Sequence, residues 1–302
     1  MIDKQYIRNP FNERKINEFD ISDFKRKLFG YIENKTNNHI EYQVVILGAG
    51  KGSRMNINYP KVLYELPYPN NSLTILDNML EGINNLQKVI NIDSTTLVIN
   101  ESMHACFKKY DRLDNFKIIG LNDESIRGTA FCINKIKKYL QPDKDIIFLW
   151  GDLALWKVSD LYLSLKIHEI NKSFITFPTR IRNNPYVAFL RSNGGKISSI
   201  MHSNEGNKHK GFAEQDCLSF ICSSSCLNEM SSFMRLHQDE DEIDFIHFVL
   251  YSAENDFQVL PLPVSDYELT QGLNTQKKAT KICQILKNYT TTDYYDLFMM
   301  PN

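Results

Sequence analysis

Val44-Val45-Ile46-Leu47 is an uninterrupted apolar run, entered from polar Gln43 and left through Gly48-Ala49-Gly50-Lys51-Gly52-Ser53-Arg54. Four apolar residues without alternation read as a strand buried on both faces, the kind a parallel sheet uses. Three alternating glycines at its carboxyl end bring backbone N–H groups close to a ligand, and a helix start behind such a turn suits a phosphate. Lys51 and Arg54 add cations at once, and Lys61 follows Pro60. A bare strand-to-helix turn would use Gly-Ala-Gly but has no need of those cations, so the stretch is read as the outline of a polyphosphate site.

Two common phosphate motifs fail to match. A dinucleotide fingerprint needs glycine at the first, third and sixth positions, but counting from Gly48 the sixth is Ser53. A Walker A loop needs its lysine after the last glycine, whereas Lys51 precedes Gly52. The stretch from Leu47 to Met55, then five residues ending in Pro60, then Lys61-Val62-Leu63, instead resembles the signature of the sugar-1-phosphate nucleotidyltransferases. It is most similar to the uridylyltransferase domain of the N-acetylglucosamine-1-phosphate uridylyltransferases. The resemblance implies a nucleotide-diphospho-sugar transferase (GT-A-like) fold: α/β, with a Rossmann-like, mostly parallel sheet flanked by helices.

At 302 residues the chain is long enough for one large α/β domain. Lys and Arg number 35 against 36 Asp and Glu, a formal charge of −1, so no global basic field exists to hold a nucleic acid by counterion release. The six cysteines form no C-x-x-C pair, and no run of eighteen apolar residues or N-terminal h-region appears. The expectation is a reduced, soluble, cytoplasmic protein with no membrane or nucleic-acid partner.

Residues 1–42 are read as an N-terminal helical extension. Ile21, Phe24, Leu28, Phe29 and Ile32 recur at helical spacing, with Ser22 or Asp20 as cap, and predict an amphipathic helix from Ile21 to Asn34 that docks on the main domain or on another subunit of a homo-oligomer. The nucleotidyltransferase domain is assigned to 43–290 and a tail to 291–302. Within the domain a helix is expected over Ser72–Gln87, a strand over Thr95–Asn100, a helix over Met103–Tyr110 and a strand over Phe116–Ile119. That alternation is the order of a parallel sheet covered on both faces, with ligands at the strands' carboxyl ends. Tyr186–Leu190 and Lys196–Ile200 flank Ser192-Asn193-Gly194-Gly195 and read as a β-hairpin. Val259–Leu262 is read as an edge strand because of Pro261, and the last helix as Gln276–Leu286.

Further stretches take roles from the resemblance. Gly128-Thr129-Ala130, opening a helix, resembles the family's nucleotide loop, with capping by Ser125 or Thr129 as the plain alternative. The nucleotide-binding set is then Leu47, Gly48, Ala49, Gly50, Lys51, Gly52, Ser53, Gly128 and Thr129. Asp145–Leu149 runs apolar into Trp150-Gly151-Asp152, which resembles the family's magnesium-binding Tyr-Gly-Asp, and Gly272-Leu273-Asn274 resembles the segment that supplies the second ligand. Asp152 and Asn274 are therefore the expected Mg²⁺ pair, Asn274 being alternatively a helix cap. Hard oxygen donors suit that ion. The hairpin is the expected acceptor subregion: Tyr186 lies on it, His202 stands where the family has a sugar-contacting glutamate, and Asp216-Cys217-Leu218 stands where it has Asn-Thr-Gly. These three departures imply a remodelled acceptor pocket formed by Tyr186, His202 and Asp216.

The acidic run Asp239–Glu242 reads as a solvated loop, and the histidines, without H-E-x-x-H or a Cys/His cluster, as packing or surface residues. The resemblance implies in-line attack of an acceptor phosphate on the α-phosphorus of a nucleoside triphosphate, with Arg54 and Lys61 as catalytic cations. UTP and a sugar-1-phosphate are the first reading. CTP with a polyol, amino-acid or choline-type phosphate is the second, because Asn122–Arg127 lacks the glutamines by which the uridine-specific family reads the base. An inactive nucleotide-binding protein is the third. No hexapeptide β-helix repeats follow, so one activity is expected.

Overall fold

The computed structural model describes residues 4–11, 16–33, 35, 40–50, 52–68, 71–108, 110, 116–266 and 271–298. Within them the strands are β1 Glu41–Leu47, β2 Glu65–Tyr68, β3 Asn71–Thr74, β4 Asn91–Asn100, β5 Lys117–Leu121, β6 Asp145–Trp150 and β7 Leu153–Leu155. They continue with β8 Ile175–Asn183, β9 Val187–Arg191, β10 Ile197–His202, β11 Phe212–Asp216, β12 Ser219–Cys222, β13 Val259–Pro263 and β14 Gln271–Gly272. The helices are α1 Lys4–Arg8, α2 Ile21–Glu33, α3 Ile75–Leu86, α4 Thr129–Ile136, α5 Val158–Asn171, α6 Cys226–Leu236, α7 Phe245–Glu254, α8 Gln276–Lys287 and α9 Thr291–Asp296.

Ten strands share one sheet in the order β10-β9-β11-β8-β12-β6-β1-β4-β5, with β13 beside β8. One half of it is parallel: β1 pairs in parallel with β4 and β6, and β4 with β5. From β6 outward the pairing turns antiparallel through β12, β8, β11, β9 and β10, so the sheet is mixed, with the expected hairpin β9–β10 at its far edge.

Unalternated β1 follows from its central place. Tyr42, Val44 and Ile46 enter one core with Leu76 and Met79 of α3, Leu161 of α5 and Ile282 of α8. Val45 points the other way, among Ile133 of α4, Met230 of α6 and Phe248 of α7. Apolar residues are needed on both faces because helices cover both.

The N-terminal arm has its own core. Ile7, Phe24, Leu28 and Tyr31 pack on Leu163 and Ile167 of α5 and on Leu260 and Leu262 of β13. Among the described residues β13 pairs with β8 alone, and α1 lies against it. The apolar stripe that marks α2 in the sequence is thus buried against the chain's own body, and Lys25 adds an ion pair to Asp160 of α5, which also accepts from Ser265 Oγ at 2.9 Å.

Two expected helices are corrected. Ser72 and Leu73 belong to β3, which pairs with β2, and α3 begins only at Ile75 because Thr74 and Asp77 close a reciprocal capping box there. The segment expected as a helix over Met103–Tyr110 is a 3₁₀ helix, Glu101–Phe107, started by the Asn100 side chain accepting from Ser102 N–H.

Candidate active site

The carboxyl ends of β1 and β6 lie side by side, and the backbone is laced across them. Gly48 N–H donates to Val98 O at 2.8 Å and Gly151 N–H to Leu47 O at 3.0 Å. A Cβ on Gly151 would sit 2.7 Å from Leu47 O and 2.8 Å from the Gly48 Cα, so only glycine lets the two strand ends approach this closely. Directly after it, Asp152 is buried and lines a cavity of about 360 Å³.

Asp152 is brought to Asn274 by a small ladder. β7 pairs with β14, and Leu273 N–H donates to Asp152 O at 2.8 Å. The cap of α8 is Thr275, whose side chain accepts from Lys278 N–H, so the Asn274 side chain is not the cap. Its Oδ1 accepts from Lys61 Nζ at 2.9 Å, and the same ammonium stands 3.3 Å from Asp152 Oδ2. Two oxygens from segments far apart in sequence therefore converge on one cation. A carboxylate and a carboxamide oxygen so placed are a hard donor set that fits Mg²⁺. Lys61 is fixed in turn, its own N–H donating to Gly50 O at 3.4 Å.

Leu47, Gly48, Ala49, Gly50, Arg54, Lys61, Gly128, Thr129, Tyr186, His202 and Asp216, expected from the sequence, all line this cavity with Asp152 and Asn274. Gly52, at φ +69, stands behind its wall against Ile57. Lys51 and the Ser53 side chain lie outside the described residues, as does the start of the Tyr267–Thr275 stretch. The Thr129 hydroxyl is engaged on the protein: it accepts from Phe245 N–H at 2.7 Å and donates to Asp244 at 3.2 Å. Gly128 holds φ +85, with Ile243 O 2.3 Å from where a Cβ would stand. The Gly128-Thr129 turn is thereby locked to the start of α7.

No family model matches the chain. It is similar to the bifunctional protein GlmU of Clostridioides difficile (strain 630), 22% identical over 251 residues, covering 82% of this chain and 52% of that protein. GlmU of Buchnera aphidicola subsp. Schizaphis graminum is 30% identical over 175 residues, 56% of this chain and 34% of the relative. This chain spans about half the length of the curated relatives it matches. Among solved structures, the inositol-1-phosphate CTP transferase from T. maritima superposes with a TM-score of 0.59 at 13% identity, covering 85% of this chain and all of that one. HddC from Yersinia pseudotuberculosis gives 0.55 at 14%, covering 81% and 99%. The chain is thus similar in sequence to the GlmU proteins and in fold to a CTP transferase.

On this nucleotidyltransferase-like frame, the sequence reading missed two cations. Arg180, deeply buried on β8, and Lys278, in the first turn of α8, both line the cavity. Burial holds the Lys278 ammonium below the usual lysine range, and the like charges of Arg180, Arg182 and Lys61 add to that against the pull of Asp152. The available signal was Arg180 and Arg182 two apart, hence on one face of a strand, but Pro178 just ahead of them reads as a strand end. Gln215, likewise unforeseen, presents a buried amide oxygen that has no hydrogen-bond partner among the described residues. Burial pushes the Asp216 carboxyl up and Asp152 adds to this, while Leu218 N–H, donating at 3.1 Å, and Arg180 oppose it. Leu218 itself takes φ +60, at the position where the family has glycine. Cys132 also faces the cavity, but burial and the charge of Asp244 push its thiol up to about 12, which removes it as a nucleophile.

Asp239–Glu242 is exposed, with Glu242 on the cavity rim. His202 Nδ1 and His247 Nε2 each lie 2.9 Å from Glu205 Oε1, a cluster that no local spacing announces because α7 supplies His247 from 45 positions downstream.

Proposed function

We propose that this chain transfers a nucleoside monophosphate from a nucleoside triphosphate to the phosphate of a small acceptor and releases pyrophosphate. The observation that carries this reading is the convergence of Asp152 Oδ2 and Asn274 Oδ1 on Lys61 Nζ, in a cavity also lined by the glycine loop and Gly128-Thr129. Mg²⁺, held by Asp152 and Asn274, would supply Lewis-acid charge neutralisation at the phosphates.

The chain's own residues do the rest by position and charge. Backbone N–H groups of the glycine loop and Arg54 hold the triphosphate, and Lys61 faces the charge that develops at the α-phosphorus. Arg180 and Lys278 hold the acceptor phosphate. An oxygen of that phosphate attacks the α-phosphorus in line, the bond to the bridging oxygen breaks, and the electron pair leaves with pyrophosphate. A phosphate dianion is already ionised at neutral pH, so no protein base or nucleophile is required.

UTP and a sugar-1-phosphate are the first substrate reading, supported by the GlmU relatives, which contain a uridylyltransferase domain. CTP with a polyol, amino-acid or choline-type phosphate is the second. It is favoured by the acceptor wall, where Trp150, Tyr186, Asp216 and the unpartnered Gln215 oxygen meet the cavity. Among the described residues no helix is long and apolar enough to cross a membrane and all six cysteines are free. The deciding experiment is pyrophosphate release with each of the four nucleoside triphosphates against a panel of sugar-1-phosphates and other phosphate monoesters. Turnover with one pair supports the reading, and a silent panel contradicts it.

A further inference from the structure

We propose that His202, Glu205 and His247 form a second cation site, for a divalent transition ion of the zinc class, which fastens the acceptor wall to the nucleotide loop. The site uses none of the Mg²⁺ pair, and the binding of the ion does not depend on the transferase reading, whereas the roles of the two segments it joins rest on that reading.

The geometry is that of a ligand set. His202 Nδ1, a Glu205 carboxylate oxygen and His247 Nε2 all lie within 4.8 Å of one another. Two imidazoles and a carboxylate bound to zinc at about 2.0–2.2 Å hold their donor atoms roughly 3.3 Å apart. The two nitrogens already stand 2.9 Å from Glu205 Oε1, so the ion needs only a small outward movement of exposed Glu205. Imidazole nitrogens choose zinc, cobalt or nickel over magnesium, which prefers an all-oxygen shell.

Each ligand is held by the fold. His202 ends β10, is buried, and its ring meets Tyr186 edge-on at 5.0 Å between centroids. Glu205 closes the 3₁₀ turn Ser203–Glu205, which ends at Gly206 in the left-handed region. His247 is in the first turn of α7, and its N–H donates to Asp244 O at 3.1 Å. His247 and Glu205 are partly exposed, which leaves an entry path and an open coordination position. The same Asp244 accepts from Thr129, so one ion would tie the strand end that carries His202 to the helix that anchors Gly128-Thr129. Such a tie sets the width of the cavity between acceptor and nucleotide.

The test is Co²⁺ titration of the whole protein, with Mg²⁺ present in excess to occupy the oxygen site, followed by visible d–d absorption. A parallel thermal melt is taken with Zn²⁺. The expected result is one equivalent of Co²⁺ with nitrogen-ligand absorption, and a rise in Tm of about 5 °C at a hundredfold excess of Zn²⁺ over its Kd. Both effects vanish in His247→Ala and in Glu205→Gln and persist in His237→Ala, which removes a separate exposed His–Glu pair. Circular dichroism confirms that each variant is folded. Absence of absorption in the parent, or absorption that survives both His247→Ala and Glu205→Gln, overturns the site and leaves a hydrogen-bonded trio only.

Discussion

Lys61 and Asn274 stand 213 positions apart in sequence and 2.9 Å apart between Nζ and Oδ1. The same ammonium reaches Asp152, so it holds in place the two oxygens that the proposed mechanism gives to the metal. Lys61→Ala removes both a cation facing the reacting phosphate and the brace between these oxygens. The expected loss in kcat is at least about 10²-fold, the scale set by a preorganised donor to developing charge. Arg54→Ala is expected to lose as much. Steady-state pyrophosphate release measures both, and near-parental turnover in the pair would remove the assignments.

Lys278 gives a pH prediction. Its ammonium is held low by burial and by neighbouring cations, so it loses its proton as pH rises sooner than an exposed lysine. The rate is therefore expected to fall on the alkaline side below the usual lysine range. Lys278→Arg keeps a charge at every accessible pH and moves that limb upward. A kcat/KM profile against pH checks the shift, and an unmoved limb in the arginine variant would detach it from Lys278.

Gly151→Ala places a methyl group 2.7 Å from Leu47 O and 2.8 Å from the Gly48 Cα, both backbone atoms at the end of β1. Neither can retreat as a side chain would, so a destabilisation of about 1–3 kcal/mol is expected. Because the strain falls beside Asp152, activity should drop more than the stability loss explains. Urea unfolding and kinetics on the same variant separate the two.

The arm offers a stability test away from the site. Lys25→Ala leaves buried Asp160 with Ser265 but without its cation. Since Lys25 is partly exposed, the expected cost is about 2 kcal/mol, below that of breaking a fully buried pair. Asp160→Asn with Lys25→Met should recover part of it. Denaturant midpoints of the single and double variants decide, and a neutral Lys25→Ala would show the arm to be held by its apolar contacts alone.

How far the sequence revealed this arrangement depends on how local each signal is. β1, α2, α8 and the hairpin were legible because burial on one or both faces writes its period directly into neighbouring residues. Thr74 hid the start of α3, since Leu73 and Ile75 fit a helical stripe and only the pairing with β2 pulls Ser72 and Leu73 into a strand. Asn274 was reached through its motif, but the contact with Lys61 depends on the short β7–β14 ladder, which two residues of β14 cannot announce. Arg180 was hidden because Pro178 seemed to end its strand. Pro178 is tolerated inside β8, where its register partner is Leu262 of the parallel strand β13. His247 joined Glu205 and His202 through tertiary packing alone.

The most direct test of the central claim is pyrophosphate release by the purified protein with Mg²⁺, a nucleoside triphosphate and a phosphorylated acceptor, compared with Asp152→Ala. The account predicts turnover with at least one donor and acceptor pair, and its loss in the variant while the fold is retained. Turnover that persists in Asp152→Ala, or its absence across all four nucleotides and a broad acceptor panel, would contradict it.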